Sequence, residues 1–566
     1  MTTTTEYAPP TRKPGNYISA TASRNIEMED NNKNGEEMGT RYDQSDMTRM
    51  GKIQELKRNL RPLAALSFAS VLQATWEFLL IARERRPGRF ILDVHVDLCW
   101  IRADYTDNVR NGINASETTT SFDISIAFGL TRCGKCRSPT SGGQYHWVSE
   151  LASPNYQRVL SYITGWMSVL AWQAGAVSGS FLTGTIIQGL ISVKDPSYEP
   201  ESWQGILFVF AMILVIYFFN VYAASWMPRI QNLLLALHII CFVVVITVLW
   251  AMAPRQHASA VFLEFSNTGG WSSIGLALMV GQISAIYAGL SSDATAHMSE
   301  EVRDAGRYVP IAIVWGFFTN GAMAIVLVIT YLFAMPSLED ALGDRTGFPF
   351  IYVFKNAVGT AGVNGLTAII LIPVIFSNIL FNASTARQTY AFARDKGLPF
   401  AKWICKVNPK RKLPVNSIGL SCVISGLLAL INIGSDTAFH AIISLNVAAL
   451  MWTYVVSIGC LLYRRLFCPE TLPPQRWSMG KYGIWVNAAA LVYVVFAFFF
   501  SFWPTSTPVT LTTFNWSVVI FLAVSIISVV MYIFKGQKEY AGPVISVRRD
   551  AMPQARVHRH SIRREI

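Results

Sequence analysis

A glutamate sits in surroundings that acids usually avoid. Glu77 ends the run Gln73-Ala74-Thr75-Trp76-Glu77 and is followed at once by Phe78, Leu79 and Leu80. A carboxyl in an apolar stretch either binds an amine or carries a proton, unless it reaches the water at a membrane surface. A second unusual run is Ala288-Gly289-Leu290-Ser291-Ser292-Asp293, followed by His297-Met298-Ser299-Glu300-Glu301-Val302-Arg303 and Pro310. A glycine, two serines and an acid within an apolar run suit an interrupted helix, whose freed backbone groups can hold a polar solute. The plainer reading of Asp293 is a residue at the end of its run, facing water.

The elements that must carry these residues are long apolar helices. Of 566 residues, 52% are hydrophobic and 14% charged, with a mean hydropathy of +0.34. Soluble domains carry about 25% charged residues. The first apolar run covers 62–82, and ten more cover 159–191, 204–224, 229–252, 272–294, 309–335, 360–384, 414–433, 438–463, 482–503 and 513–534. Most reach the length of about 20 residues that crosses a bilayer. The formal net charge of +12 is concentrated in tails and in the loops 298–308, 387–413 and 464–481. Those loops are expected in the cytoplasm, as is the C-terminus. Residues 1–58 are polar and read as a disordered cytoplasmic tail, 62–535 as the membrane domain, and 536–566 as a second cytoplasmic tail.

The orientation rule exposes a gap. The first span and the segment 138–158 should both start in the cytoplasm, so an even number of crossings must separate them. Only one is visible. The stretch 83–137 is rich in charge, and its apolar patches 90–101 and 124–130 are short. Each Asp or Arg at a helix centre costs roughly 2.5–3.5 kcal/mol. The second span therefore reads as missing or garbled, through a gene-model error or an insertion.

Four motifs share one resemblance. They are Gly142, Gly143 and Tyr145; Gly289, Glu300, Glu301 and Pro310; Ala391, Ala393, Arg394, Asp395, Gly397 and Pro399; and Thr75-Trp76-Glu77, with Gly165-Trp166-Met167. Together they resemble the amino acid–polyamine–organocation superfamily, and the last two resemble its fungal amino acid/choline permease branch, which includes choline and GABA permeases. The resemblance covers 62–82 and 138–535 and fails across 83–137. It implies an all-α integral membrane fold of about twelve spans: a five-plus-five inverted repeat plus two C-terminal helices, with spans one and six broken at mid-membrane. The implied substrate site is Gln73, Ala74, Thr75, Trp76 and Glu77 with Tyr287, Ala288, Gly289, Leu290, Ser291, Ser292 and Asp293. Free N–H groups at a half-helix would hold a carboxylate. Trp76, or less directly Tyr287, would face a cationic amine. Glu77 or Asp293 would carry a coupling proton.

The expectation is thus a secondary active importer of an amino acid, GABA, choline or a similar nitrogenous solute, coupled to a proton gradient and not an enzyme. Its partners are that solute, the proton and the lipid bilayer, with no nucleic acid, no cofactor and no metal. The plasma membrane is the expected location, with a vacuolar or other endomembrane as the alternative. A nutrient sensor of the same fold, or a product inactivated by 83–137, are the competing readings. Cys133 and Cys136 have zinc-like spacing but no second pair nearby. Asn114, Asn382 and Asn515 match the glycosylation sequon without a setting that supports it.

Overall fold

In lipid, backbone N–H and C=O groups must be satisfied within the segment, so long apolar runs become helices. The structure, a computed structural model, describes residues 39–81, 139–263, 269–431, 436–472, 482–504, 506–511, 513–540 and 542–543. Among these residues there is no strand, only the isolated bridges Leu60–Val302 and Asn408–Leu413. Helix α1 is Arg41–Arg49. The first apolar run forms α2 (Pro62–Gln73) and α3 (Thr75–Ile81). After Pro139 come α4 (Gln144–Leu151), α5 (Gln157–Lys194), α6 (Ser202–Val221) and α7 (Met227–Met252). Then follow α8 (Ile274–Gly289), α9 (Ala294–His297), α10 (Ala305–Ala334), α11 (Thr360–Arg394) and α12 (Val415–Ile431). The last are α13 (Asp436–Phe467), α14 (Gly483–Phe500) and α15 (Ser517–Met531). Each of the eleven expected runs is helical, and nine helices are long and apolar enough to cross a membrane among the described residues.

Burial separates the centre from the lipid face. The α2–α3 window is 83% buried, whereas the windows of α7 and the last span are 28% and 22% buried. Leu214, Leu233, Trp485 and Val492 point outward, as bilayer-facing side chains do. Helix α5 is the scaffold, packing on α4, α6, α11, α12, α13 and α15. Helix α2 packs on α7, α10 and α11, and α3 on α8 and α10.

Polar residues gather at one end, which we call the basic end. Here the segment 39–61 is folded, so the expectation of a disordered tail over 1–58 does not hold for residues 39–58. The reason is pairing. Thr40 and Asp43 form a capping box on α1, and the buried Asp43 carboxylate also accepts from the Asp304 and Ala305 N–H groups at the start of α10 (2.8 and 3.1 Å). Arg58, also buried, lies 3.3 Å from Asp43 and donates to the carbonyls of Ser299 and Val302. The start of the C-terminal tail docks as well, since Tyr540 is buried and meets Ser161 Oγ at 2.6 Å.

Helix α11 does not end near 384 but continues through Arg394, because Arg387 and Arg394 find carboxylates in Glu301 and Glu300 (2.8 Å each). The segments 139–151, 298–308 and 387–395 therefore share the basic end, as the loop charges predict. Ile81 packs instead with Leu332, Met335 and Phe348 at the opposite end. The chain leaves the described residues at one end and re-enters at the other. The expected second span, the anomalous stretch 83–137 and its Cys133–Cys136 pair all lie outside the described residues, as do residues 1–38 and 544–566.

Candidate functional site

Two helices break, and the breaks face each other. Ala74, at φ 41°, ψ 42°, separates α2 from α3. An alanine in the left-handed region costs roughly 1–2 kcal/mol, so surrounding packing must impose it. Opposite, α8 ends at Gly289, Leu290 is extended, Ser291 takes φ 73°, and the chain resumes as α9. The two outer halves, α3 and α8, pack together, as do the two inner halves, α2 and α9. Each break leaves helix-terminal N–H or C=O groups without intrahelical partners.

The side chains split into three sets. Thr75 and Phe78 on one break, and Tyr287 and Gly289 on the other, keep partial exposure. The Tyr287 ring meets the Phe78 edge at 6.1 Å, and its hydroxyl lies 2.7 Å from Ser178 Oγ on α5. Ala288, Leu290, Ser291 and Ser292 are buried beside them. These residues meet at a partly exposed junction (the cleft) of α3, α5 and α8 that mixes aromatic surface with hydroxyls and freed backbone groups.

Trp76 and Glu77 turn the other way. Both are fully buried against α7, so the Trp76 face is packed against protein and is not presented to the cleft. Its indole N–H points to His238 Nδ1 at 3.2 Å, and its ring packs against His238 and Phe242. The same His238 Nδ1 lies 2.6 Å from Glu77 Oε1, and His238 Nε2 lies 2.9 Å from Asn320 Oδ1 on α10. Asn320 Nδ2 donates to Ser70 O and Gln73 Oε1, each at 3.0 Å. A buried polar chain thus runs Glu77–His238–Asn320–Gln73 and ties the broken first span to α7 and α10.

Asp293 belongs to a third group, on the basic side of the break. It is fully buried, accepts from Gln144 Nε2, meets the Tyr454 hydroxyl, and lies 3.8 Å from His297 Nε2. His297 Nδ1 meets Ser141 O at 2.9 Å, and its ring packs edge-on against Trp172 at 4.8 Å. This is why Gly142-Gly143 precedes Gln144: Gly143 has φ 59°, and a Cβ there would come 2.6 Å from the His297 ring. Asp293 is thus not beside Glu77 in one network, as a single proton-bearing site would require.

The basic end is ionic. Arg394 makes a two-pronged contact with Glu300 (2.8 and 2.9 Å), whose Oε1 also accepts from Ser141 N–H at 3.1 Å. Burial alone would raise the Glu300 carboxyl. The guanidinium beside it, the hydrogen bonds and Lys52 outweigh that and hold it at about 2. Lys52 pairs with Asp395, which also accepts from the Tyr145 hydroxyl at 3.0 Å, and Tyr390 donates to Glu55 at 2.6 Å.

Sequence reasoning missed His238, Asn320 and Ser178. The first two carried a signal: a lone histidine in Leu-Leu-Leu-Ala-Leu-His-Ile-Ile and a lone asparagine in Phe-Phe-Thr-Asn-Gly are as unusual in apolar runs as Glu77. Among the described residues no group of His, Cys, Asp and Glu could hold a metal ion.

An all-helical membrane protein with two opposed broken spans around a small polar cleft has the build of a solute carrier. Its family is the amino acid permeases, to which this chain belongs: the family model matches residues 120–524. The match leaves the first span outside and begins within the 83–137 stretch. The chain is 31% identical to an uncharacterized amino-acid permease of Schizosaccharomyces pombe, over 72% of this chain and 76% of that one. It is 29% identical to the choline transporter of Saccharomyces cerevisiae, over 74% of each. It is 28% identical to an amino-acid permease of Arabidopsis thaliana, over 75% of this chain and 85% of the relative. The protein is a multi-pass membrane transporter of amino acids or related solutes.

Proposed function

We infer that this protein is a secondary active importer at the plasma membrane that takes up a small nitrogenous solute together with a proton. The solute is of the amino acid, GABA or choline class. One observation carries the reading: the breaks at Ala74 and at 290–293 are juxtaposed, and Thr75, Phe78, Tyr287 and Gly289 remain partly exposed between them. Freed backbone groups at the breaks and the hydroxyls of Thr75, Ser291 and Ser292 serve the polar parts of the solute. Tyr287 and Phe78 face its ammonium or methyl groups, taking the role first considered for Trp76. Of the two acids considered for the proton, Glu77 is the better placed, because it joins three elements on which the broken span moves.

The test is uptake of labelled alanine, GABA and choline by cells lacking their own permeases. Saturable uptake that grows as the outside is acidified supports the reading. Binding without flux would make the protein a sensor. Tyr287→Leu should raise the KM for choline more than for alanine, by about tenfold if the ring face contributes the ~1–2 kcal/mol of a desolvated cation–π contact. An equal change for both would remove the aromatic role.

A further inference from the structure

We propose that Glu77 and His238 hold between them the proton that this carrier moves, and that losing it loosens α3 from α7. The proposal rests on the proton-coupled reading above and gives the proton an address.

Hydrogen-bond directions fix how many protons the pair holds. Asn320 Nδ2 faces two acceptors, Ser70 O and Gln73 Oε1, so it is the amide nitrogen and Oδ1 is the oxygen turned toward His238. An oxygen 2.9 Å from His238 Nε2 requires an N–H there. With Nε2 protonated, a neutral imidazole has only a lone pair at Nδ1. A carboxylate oxygen would then face that lone pair at 2.6 Å with nothing between them. The contact therefore contains one further proton, either on Glu77 Oε1 or on His238 Nδ1, and the pair is neutral overall in both arrangements. That proton is the one that dissociates. Its release to water leaves a pair of charge −1.

The consequence is mechanical. After release, Glu77 Oε1 and His238 Nδ1 are two acceptors in contact, in a site where both residues are fully buried. Glu77 Oε2 has no hydrogen-bond partner among the described residues, so the charge has no second support. An uncompensated buried charge costs several kcal/mol, which the site sheds by separating the two side chains. Glu77 is on α3 and His238 on α7. The joint that lets α3 move is Ala74, already in a left-handed turn. The Trp76 N–H, at 3.2 Å, is then the donor left to Nδ1.

Few titratable groups face the pair from the elements packed around it, among the described residues. On α7, Cys241 is close enough to feel Glu77. Tyr331 of α10 lies in the same apolar cluster as Trp76, and Tyr287 of α8 is turned to Ser178. Helix α11 carries Arg387 and Arg394 at its basic end, paired with Glu301 and Glu300. The short helix Pro349–Ala357 brings Lys355, paired with Asp344.

The experiment uses the full chain in cells lacking their own permeases, with labelled GABA and choline as probes. Two rates are measured: exchange against internal unlabelled solute at equal pH, and accumulation under an imposed pH gradient. In Glu77→Gln the amide N–H₂ donates to His238 Nδ1 and mimics the loaded pair. Gradient-driven accumulation should fall at least tenfold further than exchange does. Asn320→Asp adds a carboxylate at Nε2, favours the imidazolium, and should shift the pH midpoint of uptake upward. Accumulation that survives in Glu77→Gln, or an unmoved midpoint in Asn320→Asp, overturns the proposal. The midpoint also decides the case if Glu77→Gln loses both rates. If the parent itself shows saturable uptake indifferent to the gradient, the proton-coupled reading fails first, and that outcome is distinct.

Discussion

The mid-membrane network and the basic end both carry ionisable side chains away from solvent, yet they are built in opposite ways. At the basic end, Glu300 is satisfied by two bonds from Arg394 and one from Ser141 N–H, and Asp43 by Arg58 and two backbone N–H groups. At mid-membrane, Glu77 leans on one histidine nitrogen and leaves Oε2 without a partner, and Asp293 leaves Oδ1 likewise, among the described residues. Saturated pairs hold elements together, whereas a pair with one proton and a spare lone pair can be switched. The difference extends to pH. The Glu300 carboxyl is held at about 2, below its ordinary value, so its contribution is fully present above the ordinary carboxyl range near 4.5 and is lost only as pH falls from there through about 2. Between pH 5 and 8 this Glu300–Arg394 pair is indifferent, and a pH response of transport in that window has to arise from other groups.

The largest expected effect breaks the saturated side. Glu300→Ala leaves the half-buried Arg394 without its carboxylate, which costs about 3–5 kcal/mol. Thermal melting of the purified protein should show the loss, and a melting temperature within 2–3 °C of the parent (about 1 kcal/mol in a large domain) would mean that the pair is not a clamp. Next is Gly143→Ala. The backbone there is at φ 59°, ψ −130°, a region open essentially to glycine, at about 1–3 kcal/mol. The new Cβ also meets the His297 ring at 2.6 Å. Reduced yield of folded protein is expected, and transport by the remainder should fall because His297 and Asp293 are displaced; unaltered transport and yield would show that this turn is not what positions Asp293.

A smaller effect concerns His146 of α4, which is buried at the basic end. Burial pushes its pKa down from 6.5 to about 4, against the nearby Glu150 and with Lys52. The folded state therefore resists protonation. Stability is fully present above about 6.5 and declines as pH falls from there toward 4. Melting temperatures taken across that window should fall in the parent and less in His146→Gln; parallel slopes would place the acid sensitivity on other groups.

Much of this architecture could be read from composition and spacing, because a bilayer leaves few choices. Eleven apolar runs became helices, most of them near their expected limits (α11 runs ten residues further, to Arg394), since lipid forbids unsatisfied backbone and the length of a crossing is fixed. The breaks were visible in Gly289-Leu290-Ser291-Ser292 but hardly in Ala74, where nothing in the residue type announces a left-handed turn. Side-chain direction was not legible. A broken helix can turn by a fraction of a step, and that fraction sends Trp76 and Glu77 to α7 while Thr75 and Phe78 face the cleft. Residues 39–58 were misread because polarity suggests disorder in the absence of partners, and those partners, Ser299, Val302, Asp304 and Tyr390, are more than 200 residues away.

The smallest expected effect tests the cleft from the side of backbone strain. Ser291 holds φ 73° without being glycine. If its hydroxyl serves only as a small polar filler, Ser291→Gly removes the left-handed penalty, and stability should rise by about 0.5–1 kcal/mol with transport unchanged. If the hydroxyl contacts the solute, as the cleft geometry supports, the same substitution should raise stability and raise KM by about three- to tenfold, in keeping with one lost hydrogen bond of ~1 kcal/mol. The two readouts are independent, so melting temperature and uptake kinetics on one variant separate them. A rise in stability with an unmoved KM would take Ser291 out of the site and leave Thr75 and Ser292 as the hydroxyls at the breaks. A fall in stability would mean that the hydroxyl holds the break open, and that the strain at this joint, like that at Ala74, is set by the packing around it.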